Sequence, residues 1–507
     1  MNNSKRPTDR PEKLDELFGI DYRTLALFRV AVACVLLGAI VTRAFDLSSL
    51  YTDDGAFPIR TVQSHYGGMW CFSFHLLGGS LVYQAALFGI AGLFAVSLAV
   101  GYRTRLATVG SWALLVSVNH RVPLITTGGD VLLGMVLFWG MFLPLGARWS
   151  LDARRAGASP PTGRVTSIAT LAILLQVLWM YFSTGLWKLN ELWLDGRALG
   201  LALSDDMLAR PLGRYLLEFS HLLTALTYAV LVLELIGPFL LFSPWRTNLV
   251  RASALAALAT MHVGIELTMS ILIFSFASLA ALTLFVVGSW WERGMLRRLA
   301  DWLDARFVRA GGWRQKKSKQ ETAEAGTSKL FEWAQIFLLI YIPLFNISCW
   351  LSGPQASGSQ PSGALQKFNH LGELIGAGQV WKMFDRPPGE QRFVGLATLN
   401  SAGPPHDILR NEATKSPPPR PAQPEPVASQ RWMLAMRHLA PERCAHFRPD
   451  VARYLIRRWN QRAGELQQVR ELELFFFPAP YEAPREAVDG IRLVKLVRSA
   501  SGEYVVE

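Results

Sequence analysis

Residues 173–199 read ILLQVLWMYFSTGLWKLNELWLDGRAL, and this stretch decides the class of fold. Its first part is an apolar run of the kind that enters a bilayer, and it ends by presenting Lys188 between Trp187 and Trp193. An ammonium group costs roughly 3 kcal/mol or more at the centre of a spanning helix, so a chain keeps one for snorkelling, for an ion pair or for chemistry. Gly185, one turn earlier, lets another helix or a ligand approach closely. Two readings of Lys188 stand side by side. It is an interfacial anchor flanked by aromatic belt residues, or it is a desolvated base facing a cavity inside a helix bundle.

Outward from this stretch the composition agrees with a membrane protein. The chain has 507 residues, of which 51% are hydrophobic, with 28 Phe and 17 Trp, and long apolar runs recur from residue 25 to residue 350. The net charge of +12 invites a nucleic-acid reading. However, much of the Lys and Arg sits in short clusters beside apolar runs, as topology signals do, so the expected partner is the lipid bilayer and not nucleic acid. The four cysteines form no CxxC pair, and no metal site is expected from them. The start, MNNSKRPTDRPEKLDELFGIDYR, is polar, and no cleavage motif follows the first apolar run. It reads as a cytoplasmic tail before an uncleaved helix.

In chain order the apolar runs predict spans at 25–45, 81–102, 106–119, 129–145, 167–187, 221–242, 252–267, 270–287 and 331–350. Residues 46–80 are too polar to cross and form an outer loop, and Asp205, Asp206, Arg210 and Pro211 mark 192–219 as re-entrant or interfacial. The expected fold is an all-α membrane bundle of eight or nine transmembrane helices with a small C-terminal α+β extramembrane domain. The expected divisions are a cytoplasmic tail (1–22), the bundle (23–291), a cytoplasmic basic loop (292–329) and a last span (330–351). A periplasmic α+β tail follows (352–507), with a flexible linker at 353–363 and a proline-rich segment at 415–426. Short helices are expected at 364–375, 430–439 and 450–462, a hairpin at 392–399 and 407–410, and strands at 469–477 and 491–497. The basic clusters fall on one side if every span counts once, which puts the N-terminus in the cytoplasm. Cys71 and Cys444 then share the oxidising side, and a disulfide between them is expected.

Several ionisable residues fall within or near the spans. Asp130 follows Thr126-Thr127-Gly128-Gly129 and reads as a helix cap or as a cavity residue. Arg29 reads as a snorkelling anchor. Glu234, before Gly237-Pro238, is a structural or a functional carboxyl. His262 and Glu266 are four apart on one helix face, suited to a mutual hydrogen bond or to proton transfer. All are costly against lipid, so Lys188, Asp130, Glu234 and His262 are expected in one interior cavity, with Tyr181 and Glu266 as further candidates to line it.

Several segments carry a resemblance. DYRTLALFRV (21–30), YTDDGAFP (51–58) and TTGGDVLLGMVLFWGMFLP (126–144) resemble the bacterial horizontally transferred transmembrane domain, HTTM, which is similar to the membrane half of vitamin K-dependent gamma-carboxylase. YFSTGLWKLNELWLDGRAL (181–199) resembles the carboxylase segment with the proposed base lysine, which falls on Lys188. MHVGIELTMSILIFSFASLAALTLF (261–285) resembles a carboxylase helix pair whose histidine falls on His262. The similarity covers residues 21–291, and WKMFDRPPG (381–389) resembles a segment common after the bacterial domains. The chain departs from the carboxylase at Gly128-Gly129-Asp130, where Asn-Asn-His stands, at Trp187 in place of a lysine, and in its shorter tail. The resemblance implies a bacterial inner-membrane protein using a quinone or vitamin K-like lipid, with Lys188 and His262 as catalytic candidates. The alternative is a non-catalytic membrane partner that binds or matures an exported peptide or protein. A transporter is a weaker reading, since no inverted repeat or pair of broken helices stands out.

Overall fold

The structure, a computed structural model, describes residues 12–66, 70–157, 159–308, 329–351, 363–387, 389–422, 429–478 and 489–507. Residues 1–11 of the expected tail, the KKSK run of the basic loop, nearly all of the linker at 353–363 and the end of the proline-rich segment lie outside the described residues. The bundle is built from α1 (Tyr22–Ala44), α2 (Leu81–Val100), α3 (Thr104–Arg121), α4 (Gly128–Gly140), α5 (Ile168–Trp187), α6 (Ser220–Leu240), α7 (Thr247–Thr268) and α8 (Phe274–Leu282). α9 (Gly294–Val308) and α10 (Lys329–Leu351) follow. Six of these, α1, α2, α5, α6, α7 and α10, are long and apolar enough to cross a membrane, whereas α4 and α8 are apolar but shorter. Residues 192–219 contain only short helices, among them Ala198–Ser204 and Pro211–Leu216.

The short helices sit at the centre. α4 buries all but two of its 13 residues, and its Thr127–Asp130 capping box fixes where it begins. α4 and α8 pack against each other and are shared by two rings of helices. The first ring is completed by α1, α2 and α3, the second by α5, α6 and α7, and α10 lies outside against α5. A helix enclosed by protein needs no lipid-facing length, which accounts for the brevity of α4 and α8.

The tail adds α11 (Gly363–Leu374), α12 (Gln430–Arg437) and α13 (Arg448–Asn460). Its antiparallel sheet is formed by β1 (Arg392–Leu399), β2 (His406–Asp407), β3 (Glu412–Ala413), β4 (Val469–Phe477), β5 (Ile491–Arg498) and β6 (Tyr504–Val506), in the order β3-β2-β1-β4-β5-β6. The expected hairpin is present, but its second strand is only His406–Asp407 and the main partner of β1 is β4. α13 covers β4 and β5, and α12 packs on Pro123–Ile125 of the bundle. One buried apolar cluster runs from Leu25 in α1 through Leu137 in α4 to Trp432, Phe447 and Leu496 in the tail.

The two ends of the bundle are distinct. At one end Ile20 and Asp21 pair with Val165 and Arg164, Thr24 donates to the Val286 carbonyl, and Arg251 donates to the Leu17 carbonyl. The basic segments at 103–105, 148–164 and 246–251 gather there, Arg103 and Thr104 donating backbone N–H groups to Asp152. The tail caps the opposite end. Arg29 does not snorkel: it is fully buried and donates to the carbonyls of Leu145, Arg148 and Trp149. The expected disulfide is absent, since Cys71 and Cys444 are free thiols. Burial pushes the Cys71 thiol up to about 12, with Glu373 adding to the effect.

Candidate functional site

Gly185 brings the first pair of site residues together. A Cβ there would come within 2.9 Å of the Leu235 side chain, so glycine lets α5 and α6 approach at this level. That approach sets Lys188, which caps α5, beside Glu234 of α6. Lys188 Nζ donates to both Glu234 carboxylate oxygens at 2.6 Å, and both residues are 5% exposed. Pro238, one turn on, has no N–H to give the Glu234 carbonyl. The ammonium also lies over the face of the buried Trp193 ring, 4.6 Å from its centre.

Tyr181, two turns earlier on the same face of α5, supplies the second pair. Its hydroxyl lies 2.7 Å from Nε2 of His262 on α7, and both side chains are buried. Phe274 of α8 packs edge-on against the imidazole, whose Nδ1 has no hydrogen-bond partner among the described residues.

Both pairs line a cavity of about 620 Å³ inside the second ring. Its bundle walls come from Thr127 and Gly128 at the start of α4, Met180 and Thr184 of α5, Val230 of α6, Met261 of α7 and Phe274 of α8. The outer wall is the tail. Residues 380–386 lie across it, held by the Trp193 indole N–H donating to the Phe384 carbonyl at 2.8 Å and by Asn190 Nδ2 donating to the Asp385 carbonyl at 2.9 Å. Lys382 sits 3.8 Å from the Trp187 ring centre. Met433, Arg437 and His438 complete the wall. Burial holds His438 below the usual histidine range, opposed by its hydrogen bond to the Leu124 carbonyl. Arg437 pairs at 2.6 Å with Asp205, whose carboxyl burial pushes up against that attraction.

Of the residues singled out in the sequence, Lys188, Glu234, Tyr181 and His262 meet in this cavity, whereas Asp130 and Glu266 do not. Asp130 is fully buried elsewhere, as the N3 member of the α4 capping box and between Arg43 at 2.7 Å and Arg431 at 3.1 Å. Glu266 pairs with Arg210 near the surface and makes no bond to His262, because α7 turns His262 into the ring toward Tyr181. Sequence reasoning missed the tail wall at 430–438, for which no local signal exists. The segment at 381–389 did carry one, its Trp-Lys-Met-Phe pattern. Among the described residues no group of three His, Cys, Asp or Glu is placed to hold a metal ion.

A protein-family model, the HTTM domain, matches residues 19–290, which contain both ion-pair partners and the Tyr181–His262 pair. No curated protein and no solved structure matches the chain.

Proposed function

Since this chain belongs to the HTTM domain family and is a multi-pass membrane protein, we propose that it is a carboxylase-like membrane enzyme acting on a quinone-type lipid, with Lys188 as its base. The observation that carries this reading is the buried Lys188–Glu234 pair beside the Tyr181–His262 pair in one largely apolar cavity. The cavity volume is in the range usual for small-molecule sites, and an apolar chamber with few polar groups suits a ring headgroup on a lipid tail. The resemblance read in residues 181–199 and 261–285 supports the same reading.

The chain's own groups define what happens to protons. In an apolar chamber an ion pair loses hydration that a neutral pair does not need. Transfer from Lys188 Nζ to a Glu234 oxygen at 2.6 Å, when a ligand displaces the remaining hydration, would give a neutral amine that accepts a proton, with the carboxyl as its store. Trp193 restrains Nζ by facing it with its ring. Tyr181 Oη and His262 Nε2 offer a second hydrogen-bonding point at a fixed separation of 2.7 Å. The segment 380–386 and Met433 form the wall of the chamber on the tail side. A bound quinol would supply the acidic hydroxyl and the reducing electrons that these side chains lack.

Nine crossings fit this reading, with α3 crossing in the first ring and α4 and α8 inside the bundle, the N-terminus in the cytoplasm and the tail in the bacterial periplasm. A reporter fused after Glu507 should be active as alkaline phosphatase. Mass spectrometry of the detergent-purified protein should find a quinone-type lipid retained by the wild type and lost from Thr184→Phe, which fills the chamber. A wild-type protein that retains none and binds none when supplied would end the lipid reading. The second reading, a partner for an exported peptide, has its own observation: a tail cavity of about 480 Å³ lined by Trp432, Trp459, Arg458 and Arg462.

A further inference from the structure

α9 shows three faces where an ordinary surface helix shows two. Leu296, Ala300, Leu303 and Phe307 follow helical spacing and pack on the buried Trp149 and Trp291. A quarter turn round, Met295, Leu299 and Trp302 form a second apolar stripe, 82%, 37% and 59% exposed. Arg297 and Asp301 lie opposite that stripe, and both are more than two-thirds exposed. A helix that packs on protein, water and nothing else has no use for the second stripe.

Its position says what covers it. Just before α9, the Trp291 indole donates to Thr24 Oγ1 at 2.9 Å, in the first turn of the spanning helix α1. Toward its far end, Asp304 accepts from Arg148 and from the Trp149 indole at 2.7 and 2.8 Å, in the segment that follows α4. Both tethers stand at the same end of the bundle, so the helix, about 22 Å long, lies across that end and does not continue a span. That end is the one where the basic segments at 103–105, 148–164 and 246–251 gather. The charge agrees with an anionic surface. Arg293, Arg298 and Arg306 make no ion pair among the described residues, and Arg306 lies over the Trp302 ring at 5.8 Å.

We propose that α9 is an interfacial helix whose Met295–Leu299–Trp302 stripe is seated at the boundary of headgroups and acyl chains in an anionic leaflet. The bundle, the hydrocarbon and the water each take one of its faces. Quenching by brominated lipid tests this on the full-length protein in nanodiscs, using the difference in emission between the wild type and Trp302→Phe to isolate one ring. In phosphatidylglycerol discs brominated near the headgroup end of the chain, the difference emission should fall by about half. It should fall less in phosphatidylcholine discs, or in phosphatidylglycerol discs for the double variant Arg298→Gln with Arg306→Gln. No quenching in either lipid would overturn the seating. Equal quenching in both would overturn the anionic preference. Protection that appears only with two copies per disc would mean that a second copy covers the stripe, and would also overturn the proposal. None of these outcomes depends on the cavity chemistry, because α9 contributes nothing to the chamber walls.

Discussion

Asp130 and Arg431 stand 301 positions apart in the chain and meet at 3.1 Å, with neither side chain more than 1% exposed. Arg43 of α1 closes on the same carboxylate at 2.7 Å. One buried anion thus ties the first spanning helix, the central helix α4 and the tail helix α12 together. Removing one member of a buried pair leaves charge without compensation, at a cost of roughly 3–5 kcal/mol. Asp130→Asn leaves two arginines unpaired, whereas Arg431→Met leaves Arg43 still matched to Asp130. Thermal unfolding in detergent should therefore show a larger drop in Tm for Asp130→Asn than for Arg431→Met. The reverse order would mean that Arg43 and Asp130 do not compensate each other.

This relationship marks the limit of what the sequence shows. Long apolar runs identify the spanning helices because hydrocarbon demands unbroken apolar length, and Lys188, Glu234 and His262 stand out because charge in such runs is expensive. The partner of each does not show. Glu234 and Glu266 are carboxylates on bundle helices, yet one faces Lys188 and the other Arg210, a matter of helix rotation that no local pattern encodes. Arg29 reads as an anchor because its distance from the helix end allows snorkelling. In the fold, three carbonyls from the segment after α4 claim it instead. Residues 430–438 resemble any soluble amphipathic helix, and only the tertiary fold makes them a wall of a membrane cavity.

The two glycines that open α4 differ in what they can tolerate. A Cβ at Gly129 would stand 2.8 Å from the Phe274 backbone, which cannot move without displacing α8. A Cβ at Gly128 would meet the thioether of Met383, the flexible end of a side chain at the cavity mouth. Gly129→Ala should cost about 1–3 kcal/mol of stability. Gly128→Ala should leave stability nearly unchanged and alter ligand retention by moving Met383. Equal Tm values for the two variants would contradict the close contact of α4 with α8.

A histidine pair joins the loop at 46–80 to the tail. His65, in the helix Ile59–Tyr66, stacks on His446 with ring centres 5.3 Å apart. Burial holds both rings below the ordinary histidine value of 6.5, and His446 and Arg443 add repulsion at His65. Above that value both rings are neutral in the folded and unfolded states, and the contact has its full stability. As the pH falls through it, the unfolded chain takes up protons that the folded rings resist, so stability falls. Protection factors of the amides of Ile59–Tyr66, corrected for the intrinsic exchange rate, should fall between about pH 7.5 and pH 5.5. The fall should be smaller in His65→Phe. An undiminished fall in that variant would assign the pH response to other groups.

The Lys188–Glu234 pair separates anchoring from chemistry. A lysine pointing to headgroups would tolerate Met as well as Arg, since nothing buried depends on its charge. A lysine held 2.6 Å from a buried carboxylate does not: Lys188→Met strands Glu234 and should destabilise the protein by roughly 3–5 kcal/mol. Adding Glu234→Leu should recover most of that loss, because a neutral apolar pair needs no compensation. Lys188→Arg keeps a cation and its hydrogen bonds to Glu234, so the fold should persist. A guanidinium, however, does not release its proton near neutral pH and cannot act as a base. Lys188→Arg should then retain the lipid found in the wild-type chamber while abolishing its turnover. Full turnover by a folded Lys188→Arg protein would remove Lys188 from the base role and leave the pair as a structural tie between α5 and α6.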